Sequence, residues 1–347
     1  MLPSARSLRS SGITGLGSYL PQRVLTNQEL IANGGLDTTS DWIYRKIGIR
    51  ERRIAAPGEA TSDMAIAAAR AALADAGRPA SEVDLIIATS MNFDYKTPAT
   101  AALVQHAIGA SRAAAFDLGS ACSGFIYACA VASKFLQDGE MSTVLVVASE
   151  HNSSLVSWQD RTTCIYFGDG AGAAVIERVR DGYGFLSFDL GADGSGANAI
   201  LVPGGGSRLP ATEETVKTVR EKDGVVRSPM HFTMQGREVY EFVQWTLPCT
   251  LKRAAGKAGM PLRDVDFFVL HQANRWMVGE ALAKMEVPLE KTYFNVERYG
   301  NMASASIPVA LLEARNEGLV GRDGQIVALS GFGAGLAWGS AMLRWIS

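Results

Sequence analysis

A chain of 347 residues, 47% hydrophobic and with 36 glycines, carries enough apolar material for one large domain or two closely packed halves. Its formal charge of -2, without interleaved basic and aromatic residues, argues against nucleic acid as a partner. No apolar run approaches the roughly 20 residues needed to cross a bilayer.

Along the chain, the first eleven residues hold Arg6 and Arg9 among serines with no apolar centre, which reads as a frayed tail and not a secretory signal. From Ser11 the pattern becomes one of helices alternating with nearly continuous apolar strands. An Ala-rich helix stops at Gly77, a turn follows with Pro79, and an apolar strand runs through Leu85-Ile86-Ile87-Ala88-Thr89. The stretch Phe116-Asp117-Leu118-Gly119-Ser120-Ala121-Cys122-Ser123-Gly124 passes from an extended segment through small residues into a helix predicted over Phe125 to Phe135. An apolar strand is predicted at Val144 to Val147, and another at Ala173 to Ile176. Asp181 to Arg227, rich in glycine and charge, reads as an extended surface insertion.

The helix–turn–strand pattern then recurs. Ala258-Gly259-Met260-Pro261-Leu262-Arg263-Asp264-Val265-Asp266 repeats Ala76 to Asp84 at an offset of 266 − 84 = 182 residues. The same offset sets Val144-Leu145-Val146-Val147 on Ile326-Val327-Ala328-Leu329 and carries position 122 to 304, three residues beyond Asn301. Three matches at one offset indicate duplication. The predicted organisation is a first half over 11–178, a connecting insertion over 179–227 and a second half over 228–347. Packed together, the halves give a layered α/β/α/β/α sandwich, with catalytic groups at the strand ends of both.

Three segments carry candidate chemistry. Cys122 stands at the mouth of a helix, where free N–H groups and the helix dipole favour thiolate; the alternative is a buried free cysteine. His271, in Leu270-His271-Gln272-Ala273-Asn274, is either a reacting imidazole or a core histidine. Asn301, in Tyr299-Gly300-Asn301-Met302-Ala303-Ser304, either donates to a substrate or caps a helix through Ile307 to Ala314. A thiol, an imidazole and an amide, each beside a turn or strand-like run, suggest thiol acyl transfer. Cys129, Cys164 and Cys249 read as structural, with no C-x-x-C spacing and no histidine pairing, so neither a metal centre nor a disulfide framework is expected. Four free thiols suit a reducing cytoplasm. The glycine strings 168–172 and 331–335 are no nucleotide loops: the first runs into a strand, and the second lacks an acidic residue about 20 positions on. Close backbone approach near the sulfur explains them better.

At these residues, and at Gly15 to Pro21, Asp41-Trp42-Ile43, Gly48 to Arg52, Phe167 to Ala173 and Gly331 to Ser340, the chain resembles the β-ketoacyl-acyl carrier protein synthase III family of the thiolase-like superfamily. The resemblance covers nearly the whole chain. It implies a five-layered thiolase-like fold in a dimer that condenses an acyl-CoA starter with malonyl-acyl carrier protein to initiate fatty acid biosynthesis. Coenzyme A and carrier-protein thioesters are then substrates, and no metal or other cofactor is expected. It assigns Cys122, His271 and Asn301 as the catalytic triad, backbone N–H groups near Cys122 and Ala334 as oxyanion donors, and Phe332 as an apolar neighbour that aids decarboxylation. Trp42 and Arg161 fall at positions that contact the coenzyme A nucleotide, with a buried anchor as the alternative for Trp42. Lys46, with Arg45 beside it, falls at a usually basic position, and Asn274 at one that contacts pantetheine. The strand Thr143 to Ala148 is expected as an edge that pairs near the two-fold axis, and the dimer partner is expected to contribute residues near Asn92 to Pro98, where Thr97 is small, to the starter pocket.

Two departures stand out. Arg275-Trp276 follows Asn274 where relatives commonly have Leu-Arg, and Met302-Ala303 follows Asn301 in place of Thr-Ser. They leave open a specialised relative that primes a polyketide or other secondary metabolite, or that transfers its acyl group to another nucleophile. Thiolases need a second cysteine in the C-terminal glycine loop, and elongating ketosynthases need a second histidine where Asn301 stands. Plant-type polyketide synthases show a proline where this chain has Ala334, and a non-enzymatic acyl-binding paralogue has no need to retain the nucleophile.

Overall fold

The computed structural model describes residues 10–221 and 224–347, so most of the expected N-terminal tail lies outside the described residues. Its principal elements, in chain order, begin with β1 (Ser11–Tyr19), α1 (Ser40–Ile47), α2 (Thr61–Asp75), β2 (Leu85–Thr89) and α3 (Thr100–Ile108). The first half continues with β3 (Ala114–Leu118), α4 (Gly124–Gln137), β4 (Thr143–Glu150) and β5 (Gly170–Arg178). Then come β6 (Gly184–Ala192), α5 (Gly236–Lys257), β7 (Phe267–Leu270), α6 (Arg275–Ala283), α7 (Ser306–Asn316), β8 (Ile326–Gly333) and β9 (Ala337–Arg344).

The strands form two main sheets, ordered β1-β5-β4-β2-β3 and β7-β8-β9-β6. Alternate residues of the central strands face different layers. In β4, Val144, Val146 and Ala148 join a cluster with Phe125, Ile126, Ile307 and Leu311 of α4 and α7, while Leu145 and Val147 join one with Ala65, Ala68 and Val104 of α2 and α3. In β8, Val327 and Leu329 face α4 and α7, whereas Ile326, Ala328 and Phe332 face Leu247, Leu251 and Val278 of α5 and α6. Both faces of each sheet are therefore covered, which is why these strands read as unbroken apolar runs. The result is the five-layered sandwich expected of a thiolase-like fold.

The duplication extends to backbone detail. Gly77 and Gly259 both adopt left-handed φ, 63° and 73°, at the expected offset (259 − 77 = 182). Ala121 and Ala303 form a second such pair, with φ of 44° and 41° (303 − 121 = 182), and the central helices open at Gly124 and Ser306 (306 − 124 = 182).

Two expectations are revised. Thr143–Ala148 is no edge: β4 is buried throughout and paired with β2 on one side and β5 on the other. The edge on the β2 side of the sheet is β3, which among the described residues pairs with β2 alone. The segment read as a surface insertion begins with β6, which pairs along its length with β9 and forms the outer strand of the second sheet.

Close approach of β1 to α2 depends on small residues. A Cβ at Gly17 would lie 2.3 Å from Ala68 O and from Ala72 N, both backbone atoms that cannot swing aside. Gly17→Ala is therefore expected to cost about 1–3 kcal/mol through overpacking, read as a lowered melting temperature with activity retained in the surviving fold.

Candidate active site

Cys122 is the middle residue of a single 3-10 turn, Ala121–Ser123, that leads directly into α4. The turn packs against the end of β8. A Cβ at Gly331 would sit 2.9 Å from Cys122 O, and one at Gly333 would sit 2.8 Å from Cys122 Sγ. These glycines thus let a strand of the second half lie directly on the nucleophile turn of the first. His271 follows β7, and its N–H donates to Ser330 O at 2.8 Å, which fixes it beside β8. Asn301 is anchored through its backbone: its N–H donates to Tyr166 O at 2.8 Å, and its carbonyl accepts from Gly168 N at 3.1 Å. Its side-chain Oδ1 accepts from Ala303 N at 2.8 Å. The helix-capping role open to Asn301 is not the one it takes, because α7 begins at Ser306.

Cys122, His271, Asn301, Phe332, Ala334 and Asn274 all line one cavity of about 130 Å³. Much of the remaining wall is apolar and was not singled out from the sequence: Met91, Ile200, Phe232, Met234, Tyr240 and Val243. Ile200 comes from the segment read as an insertion, where no local motif announces a cavity wall.

Burial sets the electrostatics. His271 is 1% exposed, and desolvation of its charged form lowers its pKa to about 3, opposed by a hydrogen bond to the Ala303 backbone. The imidazole is therefore neutral at physiological pH, with Nδ1 buried and unpartnered. The Phe332 ring meets it edge-on, with centroids 5.3 Å apart. The expectation that the helix end holds Cys122 as thiolate is reversed. Desolvation pushes the thiol well above its ordinary value, Glu150 adds to the effect, and the backbone amides of Cys122 and Ala334 oppose it without prevailing. Those two amides nevertheless lie close to the sulfur.

Glu150, at the end of β4, was not identified from the sequence. It is fully buried, and desolvation raises its pKa to about 7 against the pull of Met91, Ser304 and Ser90 as donors. An acidic residue ending an apolar strand was the available signal.

The remaining predicted residues form a cluster outside the cavity. In α1, Trp42 and Lys46 are four residues apart and share an exposed face, while Ile43 and Ile47 are buried. Trp42 is 39% exposed, so it is no buried anchor, and the Arg161 guanidinium lies 5.3 Å from its ring centre. Arg161 also donates to Asp37 O at 2.7 Å. Asn274 connects this cluster to the cavity: its Oδ1 caps α6 through Trp276 N and Met277 N, and its Nδ2 donates to Lys46 O at 3.2 Å. Arg275 is half-buried over Phe294, at 4.9 Å, and Trp276 donates through its indole to Tyr44 O. Among the described residues no group of three or more histidines, cysteines and carboxylates could hold a metal ion, and no helix is long and apolar enough to cross a membrane.

A folded-state pKa of about 3 lies below the ordinary histidine value of 6.5, so acid favours the unfolded chain and the native imidazole does not titrate near neutrality. The His271 ring resonances are expected to stay at neutral-imidazole shifts from about pH 5 to about pH 8. A ring that protonates within that window in an NMR titration contradicts this assignment.

Comparison with known proteins agrees with this geometry. Residues 116–194 match the family model for 3-oxoacyl-(acyl-carrier-protein) synthase III, and residues 255–345 match its C-terminal model. The beta-ketoacyl-(acyl-carrier-protein) synthase III of Symbiobacterium thermophilum is 48% identical over 97% of this chain and 99% of its own. That of Desulfitobacterium hafniense is 44% identical over 97% and 98%. Among solved structures, the synthase III of Thermus thermophilus superposes with a TM-score of 0.86 at 41% identity, over 96% of this chain and 99% of its own. A priming beta-ketosynthase from a polyketide biosynthetic pathway superposes with 0.87 at 32%, over 99% of each chain. With its thiol, imidazole and amide gathered on one cavity between duplicated halves, this chain belongs to the 3-oxoacyl-(acyl-carrier-protein) synthase III family of acyl-transferring condensing enzymes.

Proposed function

We propose that the protein loads an acyl group from acyl-CoA onto Cys122 and condenses it with malonyl-acyl carrier protein, starting fatty acid synthesis in the cytoplasm. The observation that carries this reading is the convergence of Cys122, a neutral His271 and Asn301 on one largely apolar cavity. In the first step Cys122 Sγ attacks the thioester carbonyl, the C–S bond to coenzyme A breaks, and the thiol proton leaves with the departing thiolate. The Cys122 and Ala334 amides stabilise the oxyanion formed on the way. A thiol with a raised pKa suits this exchange: it stays protonated and unreactive until a thioester fills the cavity.

In the second step the malonyl thioester loses CO₂, and its electron pair becomes an enolate. A neutral imidazole N–H from His271 and the amide N–H of Asn301 donate to the enolate oxygen. Phe332 keeps water from the carboxylate. The enolate carbon then attacks the acyl-enzyme carbonyl, the C–S bond breaks with its electron pair on Cys122 Sγ, a proton from solvent restores the thiol, and a 3-oxoacyl product leaves. Trp42, Lys46 and Arg161 supply an aromatic face and two cations for the coenzyme A nucleotide, and Asn274, between them and the cavity, contacts pantetheine. No metal or redox group enters either step. The TM-score of 0.87 to a polyketide priming ketosynthase supports a second reading, in which the same chemistry primes a secondary metabolite. Product analysis with a panel of acyl-CoAs and carrier proteins separates the two.

If His271 and Asn301 serve the enolate, the half-reactions separate. His271→Ala and Asn301→Ala are expected to retain acylation of Cys122 while losing decarboxylative condensation by on the order of 10² or more. Asn301→Asp is expected to be worse than Asn301→Ala, since a carboxylate repels the developing oxyanion. Rapid-quench measurement of acyl-enzyme, beside labelled CO₂ release, checks this, with Cys122→Ala as the unacylated control. Equal losses in both steps for His271→Ala support a Cys–His base pair instead.

We also infer a homodimer, joined through the β3 edge, because a strand with one open edge, bearing half-buried Phe116 and Leu118, favours a partner. Light scattering is expected to report twice 37.0 kDa; a monomer at micromolar concentration contradicts it.

A further inference from the structure

Cys122 and Ser304 are counterparts under the repeat (304 − 122 = 182), each in the middle of a one-turn 3-10 segment that opens a central helix. The Cys122 turn lies on the glycines of β8. The Ser304 turn lies instead on the end of β4, where Glu150 is buried. Glu150 Oε1 accepts the Ser304 N–H at 3.2 Å and the Ser304 hydroxyl at 2.5 Å. Its Oε2 accepts the Met91 N–H at 3.0 Å and, more distantly, the Ser90 hydroxyl at 3.5 Å. All four partners are neutral donors. A buried carboxylate without a cation is an expensive way to brace a fold. Its advantage is that it accepts at both ends, whereas glutamine accepts at one and donates at the other.

The turn that Glu150 grips also orients Asn301. Ala303 N–H donates to Asn301 Oδ1 at 2.8 Å, so the group left for the cavity is the amide N–H₂. Ala303 holds a φ of 41°, a conformation that a residue with a Cβ keeps only when its surroundings enforce it. The next residue is Ser304, doubly held by Glu150.

We propose that Glu150 is a positioning residue for Asn301: it fixes the Ser304 turn that aims the Asn301 amide into the cavity, and ties that turn to the loop after β2. This rests on Asn301 as a donor to the enolate. The second carboxylate oxygen fastens the turn to Met91, which itself lines the cavity, so one buried group sets both walls of the donor.

A double-mutant cycle tests the proposal on the intact protein, with labelled CO₂ release from malonyl-CoA beside acylation of Cys122 by acetyl-CoA. Glu150→Gln is expected to lower CO₂ release by about tenfold, and to lower acylation by less. In the Asn301→Ala background the same change is expected to add less than about twofold, because the group it positions is gone. A general brace gives losses that multiply across the two changes and fall equally on both steps; that result overturns the proposal. Ser304→Ala, which keeps the backbone donor, is expected to show a smaller loss in the same direction, and it carries the test if melting curves show that Glu150→Gln fails to fold. If Asn301→Ala itself decarboxylates normally, the role of Asn301 falls and the proposal with it. If Asn301→Ala is impaired and neither Glu150→Gln nor Ser304→Ala is, the proposal alone falls.

Discussion

The architecture depends on one exchange between the halves: each sends a short turn onto a strand end of the other. The Cys122 turn crosses to β8, and the Ser304 turn crosses to β4. Both turns are tight enough to force an alanine into left-handed φ, and both open a helix buried between the two sheets. Neither turn is stable alone, since a lone 3-10 turn has few internal bonds. Each is held by what the other half offers, glycine surface in one case and a carboxylate in the other. The cavity exists because these crossings place the end of β8 and the segments that follow β2 and β7 around a common space.

That arrangement also fixes the chemistry available. A site set between two sheets and a helical layer buries His271 and Cys122, and desolvation drives both toward their neutral forms. For an imidazole that donates to an oxyanion, neutrality is an asset. For a thiol it means that the helix end alone does not ionise it. Polar groups in such a site must face partners, and among the described residues that line the cavity the buried polar atom without one is His271 Nδ1.

How much of this was legible in the sequence follows from the range of the forces involved. Apolar runs covered on both faces, an Ala-rich helix ending at Gly77 and a repeat at 182 residues are local or periodic signals, and they lead directly to the layered sandwich. Cys122, His271 and Asn301 were found because each lies in a distinctive short segment. Pairing partners are not local, so β4 was mistaken for an edge and β6 for part of a surface excursion. Burial is not local either. The thiol was read from its helix end, where the dipole favours charge, but three-dimensional enclosure outweighs a dipole worth a fraction of a charge. Glu150 carries no motif, and its significance appears only when Ser304, 154 residues away, arrives beside it.

The placement of β6 has a consequence for synthesis. All five strands of the first sheet lie within the first 178 residues, so that sheet can close while the rest is still being made. The strand β6 follows β5 directly, yet its partner β9 spans Ala337–Arg344, at the far end of the chain. Until β9 has been made, β6 lacks its pairing partner and is tethered beside a half whose own sheet can already close. This chain therefore carries an aggregation hazard in the middle of its own translation, and covers it once β9 emerges.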